Sequence, residues 1–269
     1  MSHTRQGVRP MTPYYNRDGV TLYQGDALAI LRDLPGACAD AVIADPPYSS
    51  GGLFRGDRTT RDTATKYVHT GAALAGPAFT GDNRDQRSYL AWCSLWLAEC
   101  LRVAKPGALL VVFTDWRQLP TTTDAVQAGG WIWRGIIPWT KPLGRCRPVK
   151  GGFWQQAEYG VWASAGPLRK EPDYAPCLVG HVNAASPHRS ERVHITEKPR
   201  EVFDLCAQAA PPGGTILDPF VGGGGMLVAA RRAGRSAIGI ELSPDYCAAA
   251  VEHLARGERQ GDQTSLELA

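Results

Sequence analysis

No apolar run in this 269-residue chain approaches the roughly 18–20 residues that a bilayer-spanning helix needs. The first residues, MSHTRQGVRPM, have no apolar core of the kind that makes a secretory leader. A cytoplasmic protein with no membrane attachment is the expectation. Cysteine is present but unorganised: the seven residues are odd in number and include no C-x-x-C pair. Neither a disulfide frame nor a zinc site follows from that pattern. The six histidines also lack ligand spacing, so no metal is expected. Internal repeats and low-complexity tracts are missing. So is a large charge of one sign, and the net +3 names no partner by itself.

What the chain has instead is a series of short apolar runs of strand length, at 20–23, 41–44, 108–113, 135–139, 159–163, 215–217 and 237–240. Helical patterns fall between many of them, at 88–103, 202–210, 226–233 and 244–255, and the polar residues from 257 onward read as a frayed tail. Strands alternating with helices predict one α/β domain over 1–269, built on a mostly parallel seven-stranded sheet with both faces covered. Two stretches resist the pattern. Residues 49–86 are rich in Gly, Thr, Arg and Asp and read as a mobile loop inserted beside the site. Residues 142–193 mix Pro and Gly with basic and aromatic side chains and read as a short recognition region. Lys and Arg outnumber acids locally from Lys141 to Arg200, as a surface facing a polyanion would show.

Two strand ends stand out. The run 41–43 ends in Ala44-Asp45-Pro46-Pro47-Tyr48. Proline cannot donate to a sheet ladder, so the strand stops at the acid, which is held on a stiff turn with a ring after it. The second is TILDPFVGGGGMLVAARRAG, residues 215–234, a strand, a glycine turn and a helix. In open α/β sheets ligands lie at the carboxyl ends of strands, and glycines let them approach the backbone. The third position of a dinucleotide G-x-G-x-x-G falls on Leu227, and no lysine follows as a Walker loop requires, so a polyphosphate ligand is disfavoured. The acids Asp218, Glu241 and Asp26 each close a strand. Together they suit a cationic ligand carrying an amine and a ribose, and S-adenosylmethionine has both.

Read together, Asp45-Pro46-Pro47-Tyr48 and Phe220-Val221-Gly222-Gly223-Gly224 resemble the amino-group DNA methyltransferases, which carry a D/N/S-P-P-Y/F tetrapeptide and an F-x-G-x-G loop. The tetrapeptide precedes the glycine loop, a permuted order similar to the beta subgroup. HITEKP, residues 194–199, resembles the family's H-x-T-x-K-P block, and the likeness covers most of the chain. The resemblance implies a Rossmann-like methyltransferase fold, S-adenosylmethionine as cofactor and double-stranded DNA as partner. It also implies that Asp218, Phe220 and the backbone of Gly222 and Gly224 meet the methionine end. Glu241 would then meet the ribose, Asp26 the adenine amine and Thr196 the carboxylate. One departure is Gly225, where the family often has Ser or Thr.

An exocyclic amine is a poor nucleophile because its lone pair is spread into the ring. The Asp45 carboxylate and the Pro46 carbonyl are placed to accept its two N–H groups, with Pro46 and Pro47 stiffening the turn. Tyr48 offers a face for a base flipped out of the duplex. Arg55, Arg58, Lys141, Arg145, Arg147, Lys150 and Arg189 are the expected DNA contacts. Asp in the first tetrapeptide position leans toward adenine N6, with cytosine N4 the nearer alternative and an RNA or protein-glutamine substrate the more distant one. Relatives of this subgroup often dimerise, and compact methylases of this form resemble stand-alone phage and prophage enzymes as well as restriction-modification partners.

Overall fold

The strand that ends in Asp45 lies in the middle of the sheet, and all six of its residues are buried. A central parallel strand is covered on both faces, so it cannot alternate apolar with polar. The computed structural model describes residues 11–48, 84–146, 149–170, 177–186 and 198–267, with only the backbone at 145 and 258–267. In chain order the elements are β1 (Tyr15–Arg17), β2 (Val20–Gln24), α1 (Ala27–Asp33), β3 (Ala39–Ala44), α2 (Gln86–Val103), β4 (Ala104–Thr114) and α3 (Leu119–Ala128). There follow β5 (Ile132–Thr140), β6 (Ala157–Ser164), β7 (Val182–Asn183), α4 (Arg200–Ala207), β8 (Thr215–Asp218), α5 (Gly225–Arg232), β9 (Ser236–Glu241) and α6 (Pro244–Glu267).

The strands form one sheet in the order β1-β2-β9-β8-β3-β4-β6-β5-β7. From β2 to β4 every neighbouring pair is parallel. Strand β6 runs antiparallel between β4 and β5. All seven expected strands are present. The two added ones, β1 and β7, have three and two residues, YNR and VN, too short and polar to leave an apolar signal.

Alternation along the strands sorts the core into two halves. Ala41, Ile43, Val111, Phe113 and Ile216 face one side, with Val202 and Cys206 of α4 and the apolar residues of α5 and α6. Val42, Ala44, Leu110, Val112 and Leu217 face the other, with Leu31 of α1, Trp96 and Leu97 of α2, and Val126 of α3. Helices α1 and α3 are additions to the expected set. The first is only seven residues long, and the second carries three threonines, weak helix formers that its packing on α2 and β4 overrides. Helix α6 continues to Glu267, past the expected end at 255. The composition after 257 is polar but holds no proline, so nothing in it forces the helical backbone to break.

Asp40 pins the end of the sheet opposite Asp45. Its carboxylate accepts from Lys105 (2.7 Å), Arg169 (3.1 Å) and the Thr215 N–H (2.9 Å), tying β3, β4, β8 and the segment after β6 together. Burial alone would push this carboxyl up, but its three donors outweigh that and hold it below the usual value. A depressed carboxyl stabilises the fold above its unfolded pKa, and that contribution fades as pH falls through the folded one. Asp40→Ala leaves the Thr215 N–H and Arg169 without their acceptor, which should cost about 1–3 kcal/mol. Thermal melts should show the variant melting several degrees lower at neutral pH, with the gap closing in acid.

Candidate active site

Strands β8 and β3 are hydrogen-bonded neighbours, yet the chain leaves them in opposite directions. From β8 it passes through α5 to β9, and from β3 through α2 to β4, on the other side. Such a switch point opens a crevice at the carboxyl ends of the two strands. Leu217 pairs with Val42, so Asp218 and Asp45 close adjacent strands at this crevice.

Asp218 is buried, and its Oδ1 accepts the Phe220 N–H at 2.9 Å, the carboxyl's one hydrogen bond among the described residues. Burial, reinforced by the nearby charges of Asp45 and Glu241, pushes its carboxyl up to about 8. Glu241, at the end of β9, accepts from the Gly222 N–H and the Ser243 N–H, both at 2.8 Å. One oxygen therefore holds the glycine turn and the other starts α6. Burial pushes Glu241 up as well, partly offset by those backbone donors. Asp26 follows β2, which pairs with β9 so that Gln24 lies beside Glu241. It is exposed, and its Oδ1 accepts from the Ala29 N–H at 3.0 Å, so it caps α1 at the same sheet edge.

The glycine turn needs glycine for two reasons. Gly222 and Gly224 have φ of 51° and 85°, the left-handed region. A Cβ on Gly224 would also come within 2.9 Å of the Ala250 backbone in α6. Gly225 explains the missing Ser or Thr. A Cβ there would run into the ring of Phe203 from α4, so that ring occupies the space a side chain would need. Phe220 turns away from the glycines and packs on Trp92 and Trp96 of α2, with ring centroids 5.5 and 5.0 Å away.

Asp45 sits on a second network. Its Oδ2 pairs with the ammonium of Lys198, whose side chain is 1% exposed. Its Oδ1 is shut off from solvent and has no hydrogen-bond partner among the described residues. Burial pushes the Asp45 carboxyl up, Lys198 works against that, and Glu158 adds to it. Tyr48 donates its hydroxyl to Glu158 Oε2 at 3.1 Å, and Glu158 Oε1 pairs with Lys141. Burial would push Glu158 up, but the ammonium groups of Lys141 and Lys198 and the Tyr48 hydroxyl bring it below its usual value.

The structure thus brings Asp45, Asp218 and Glu241 into electrostatic contact, places Asp26 alongside, and positions Tyr48 next to them. Lys141, expected to face DNA, is instead paired inward with Glu158 and lies 4.5 Å from the Trp139 ring centre. Lys150 is exposed on the loop between β5 and β6, beside Phe153, which is 95% exposed; the backbone of Arg145 lies in a short 3₁₀ turn on the same loop. Thr196, Arg55, Arg58, Arg147 and Arg189 lie outside the described residues, as does 49–83 of the expected loop. No cluster able to hold a metal ion occurs, and no helix is long and apolar enough to cross a membrane, among the described residues. The residues missed from sequence are Lys198 and Glu158. Lys198 stood in the quoted HITEKP, and a lone acid in the apolar strand run around 159–163 was the available signal for Glu158.

Residues 39–252 match the family model described as DNA methylase, of the N6/N4 class. YubD of Escherichia coli (strain K12), a protein named only as a candidate methylase, is 30% identical over 241 residues, covering 89% of this chain and 92% of its own. The type II methyltransferase M.Cfr9I of Citrobacter freundii is 28% identical over 288 residues, covering 93% and 90%. Among solved structures, the PvuII DNA methyltransferase, described as cytosine-N4-specific, superposes with a TM-score of 0.64 at 16% identity, over 90% of this chain and 88% of its own. The fold is therefore that of the DNA methyltransferases. With the family model spanning most of the chain, this protein belongs to the N6-adenine/N4-cytosine class of DNA methylases.

Proposed function

We propose that this protein transfers the methyl group of S-adenosylmethionine to the exocyclic N6 amine of an adenine flipped out of duplex DNA. The observation that carries the reading is the switch-point crevice, where the acid-ended glycine strand and the strand ending in Asp45-Pro46-Pro47-Tyr48 stand side by side. The residues fit the cofactor. A buried carboxyl pushed up to about 8, with two further acids beside it, is a site short of positive charge, and an ammonium or sulfonium would supply it. Asp218 and the Gly222–Gly224 backbone would hold the methionine end, Glu241 and Asp26 the nucleoside end, and Thr196 the carboxylate. When bound, the cofactor supplies an electrophilic methyl group.

The protein's own part is to prepare the amine. The Asp45 carboxylate and the Pro46 carbonyl accept its N–H groups, which favours a pyramidal nitrogen with an exposed lone pair. The carboxylate then stabilises the positive charge that develops as the nitrogen is alkylated, the stiff turn means that it need not reorganise, and the surplus N–H proton leaves afterwards to water. Tyr48 stacks on the flipped base, and such stacking is worth about 1–3 kcal/mol. Glu158, itself paired with Lys141, accepts the Tyr48 hydroxyl and so sets the tilt of its ring. Lys150, Arg145, Arg147, Arg189, Arg55 and Arg58 are assigned to the DNA backbone. Cytosine N4 is the second reading, favoured by the fold shared with the cytosine-specific PvuII enzyme. Both amines suit the same acceptors, and the aspartate in the tetrapeptide supports adenine.

Incubation with labelled S-adenosylmethionine and unmethylated duplex, followed by nucleoside mass spectrometry, should yield N6-methyladenine; N4-methylcytosine would transfer the assignment to cytosine. Asp45→Ala should lower the transfer rate by at least about 10²–10³-fold, with cofactor affinity by calorimetry changed only a few-fold. Loss of cofactor binding would remove Asp45 from the amine.

Cofactor affinity should also depend on pH. Below about 8 Asp218 keeps its proton in the free protein, whereas a cationic ligand is held by the carboxylate. Binding therefore expels a proton, so affinity should rise by up to tenfold per pH unit below about pH 8 and then level off. Calorimetry in buffers of different ionisation heat measures the released proton directly, and Asp218→Asn should flatten the profile. Finally, Glu158→Gln weakens a charge-assisted bond worth roughly 1.5 kcal/mol, so KM for DNA should rise about tenfold with a smaller change in kcat.

A further inference from the structure

We propose that Lys198 is a positioning residue for methyl transfer, fixing the rotamer of Asp45 and keeping its carboxylate ionised for the target amine. The inference rests on the reading of Asp45 given above and extends it to a side chain outside the tetrapeptide. Lys198 lies just before α4, on the face of the sheet to which Asp45 points by the alternation of Ala41 and Ile43. Its ammonium is buried and lies 4.6 Å from the ring centre of Phe113 and 5.8 Å from that of Tyr48. A lysine with so little solvent cannot wander, and a buried ammonium needs a paired anion. That anion is Asp45, through Oδ2.

Two consequences follow for the carboxylate. With Oδ2 engaged by a lysine that cannot move away, the rotamer of the carboxylate is set before substrate arrives. The positive charge also counteracts burial, which alone would drive Asp45 toward its protonated form, useless as an acceptor. The charged and titratable groups facing the ammonium are Asp45 on β3, Glu158 on β6, Asp218 on β8 and the Cys206 thiol on α4. Of these, only Asp45 is in direct ion-pair contact among the described residues.

The test is Lys198→Met, which keeps the length and removes the charge. Total methyl incorporation into DNA is counted across a pH series, whichever base receives it. We expect kcat to fall about a hundredfold near neutral pH, with KM for DNA and the cofactor Kd within about threefold, and the acid limb of kcat to move up by about one pH unit or more. The sign follows because removing a nearby cation raises the pH at which Asp45 ionises. Lys198→Arg should restore the acid limb. The Asp45 titration, followed by carbon-13 NMR of the carboxyl group, gives the same answer without turnover. It separates failure of this proposal from failure of the functional reading, which would show as no methyl transfer by the wild type. Should Lys198→Met not fold, the double variant Asp45→Asn/Lys198→Met removes the stranded charge, and its residual rate should match Asp45→Asn alone within about twofold. An unchanged kcat in a folded Lys198→Met, an Asp45 titration identical to wild type, or a further tenfold loss in the double variant would each overturn the proposal.

Discussion

Everything at this site depends on two carboxylates being forced together at the ends of adjacent parallel strands. The sheet turns the chain away from β8 on one side and from β3 on the other, which opens a crevice at Asp218 and Asp45. Burial above all, with the like charges of Asp45 and Glu241 adding to it, leaves Asp218 holding its proton up to about pH 8. Glu241 adds a third acid while its oxygens hold the glycine turn and the start of α6. The result is a rigid, electron-rich crevice with a deficit of positive charge, a poor place for a phosphate and a good one for an ammonium or sulfonium.

Cations are distributed unevenly around that crevice. Lys198 and Lys141 are both spent on the Asp45 and Glu158 side, and the Asp218 side has no lysine or arginine paired with it among the described residues. One half is thus internally neutralised and oriented, with Asp45 and Tyr48 each held by a partner. The other half remains unsatisfied. That asymmetry separates an end that positions a neutral base from an end that awaits a charged ligand, within one continuous edge of sheet.

Local packing adapts the shared fold to this particular chain. Gly225 stands where the family often has a hydroxyl-bearing residue, and the Phe203 ring of α4 fills the space a side chain there would need, while Phe220 is held by the tryptophans of α2. Each is one half of a contact between elements far apart in sequence.

The periodicity of apolar residues was enough to find seven strands and four helices, because burial on both faces of a parallel sheet leaves uninterrupted runs that local reading detects. The acids at strand ends, the proline-stiffened tetrapeptide and the glycine turn were legible for the same reason: each is a short contiguous pattern. What stayed hidden was held by pairing across the fold. The strands YNR and VN exist only because neighbours supply their hydrogen bonds, and α3 persists against its threonines because it packs on α2. Lys141 read as a DNA contact until tertiary structure turned it toward Glu158, and Lys198 read as surplus charge until it met Asp45. Sequence by itself determined the class of fold and the chemical types gathered at the crevice. Only tertiary structure decided which charges face one another, since ion pairs and their burial depend on distances between segments that the order of residues does not contain.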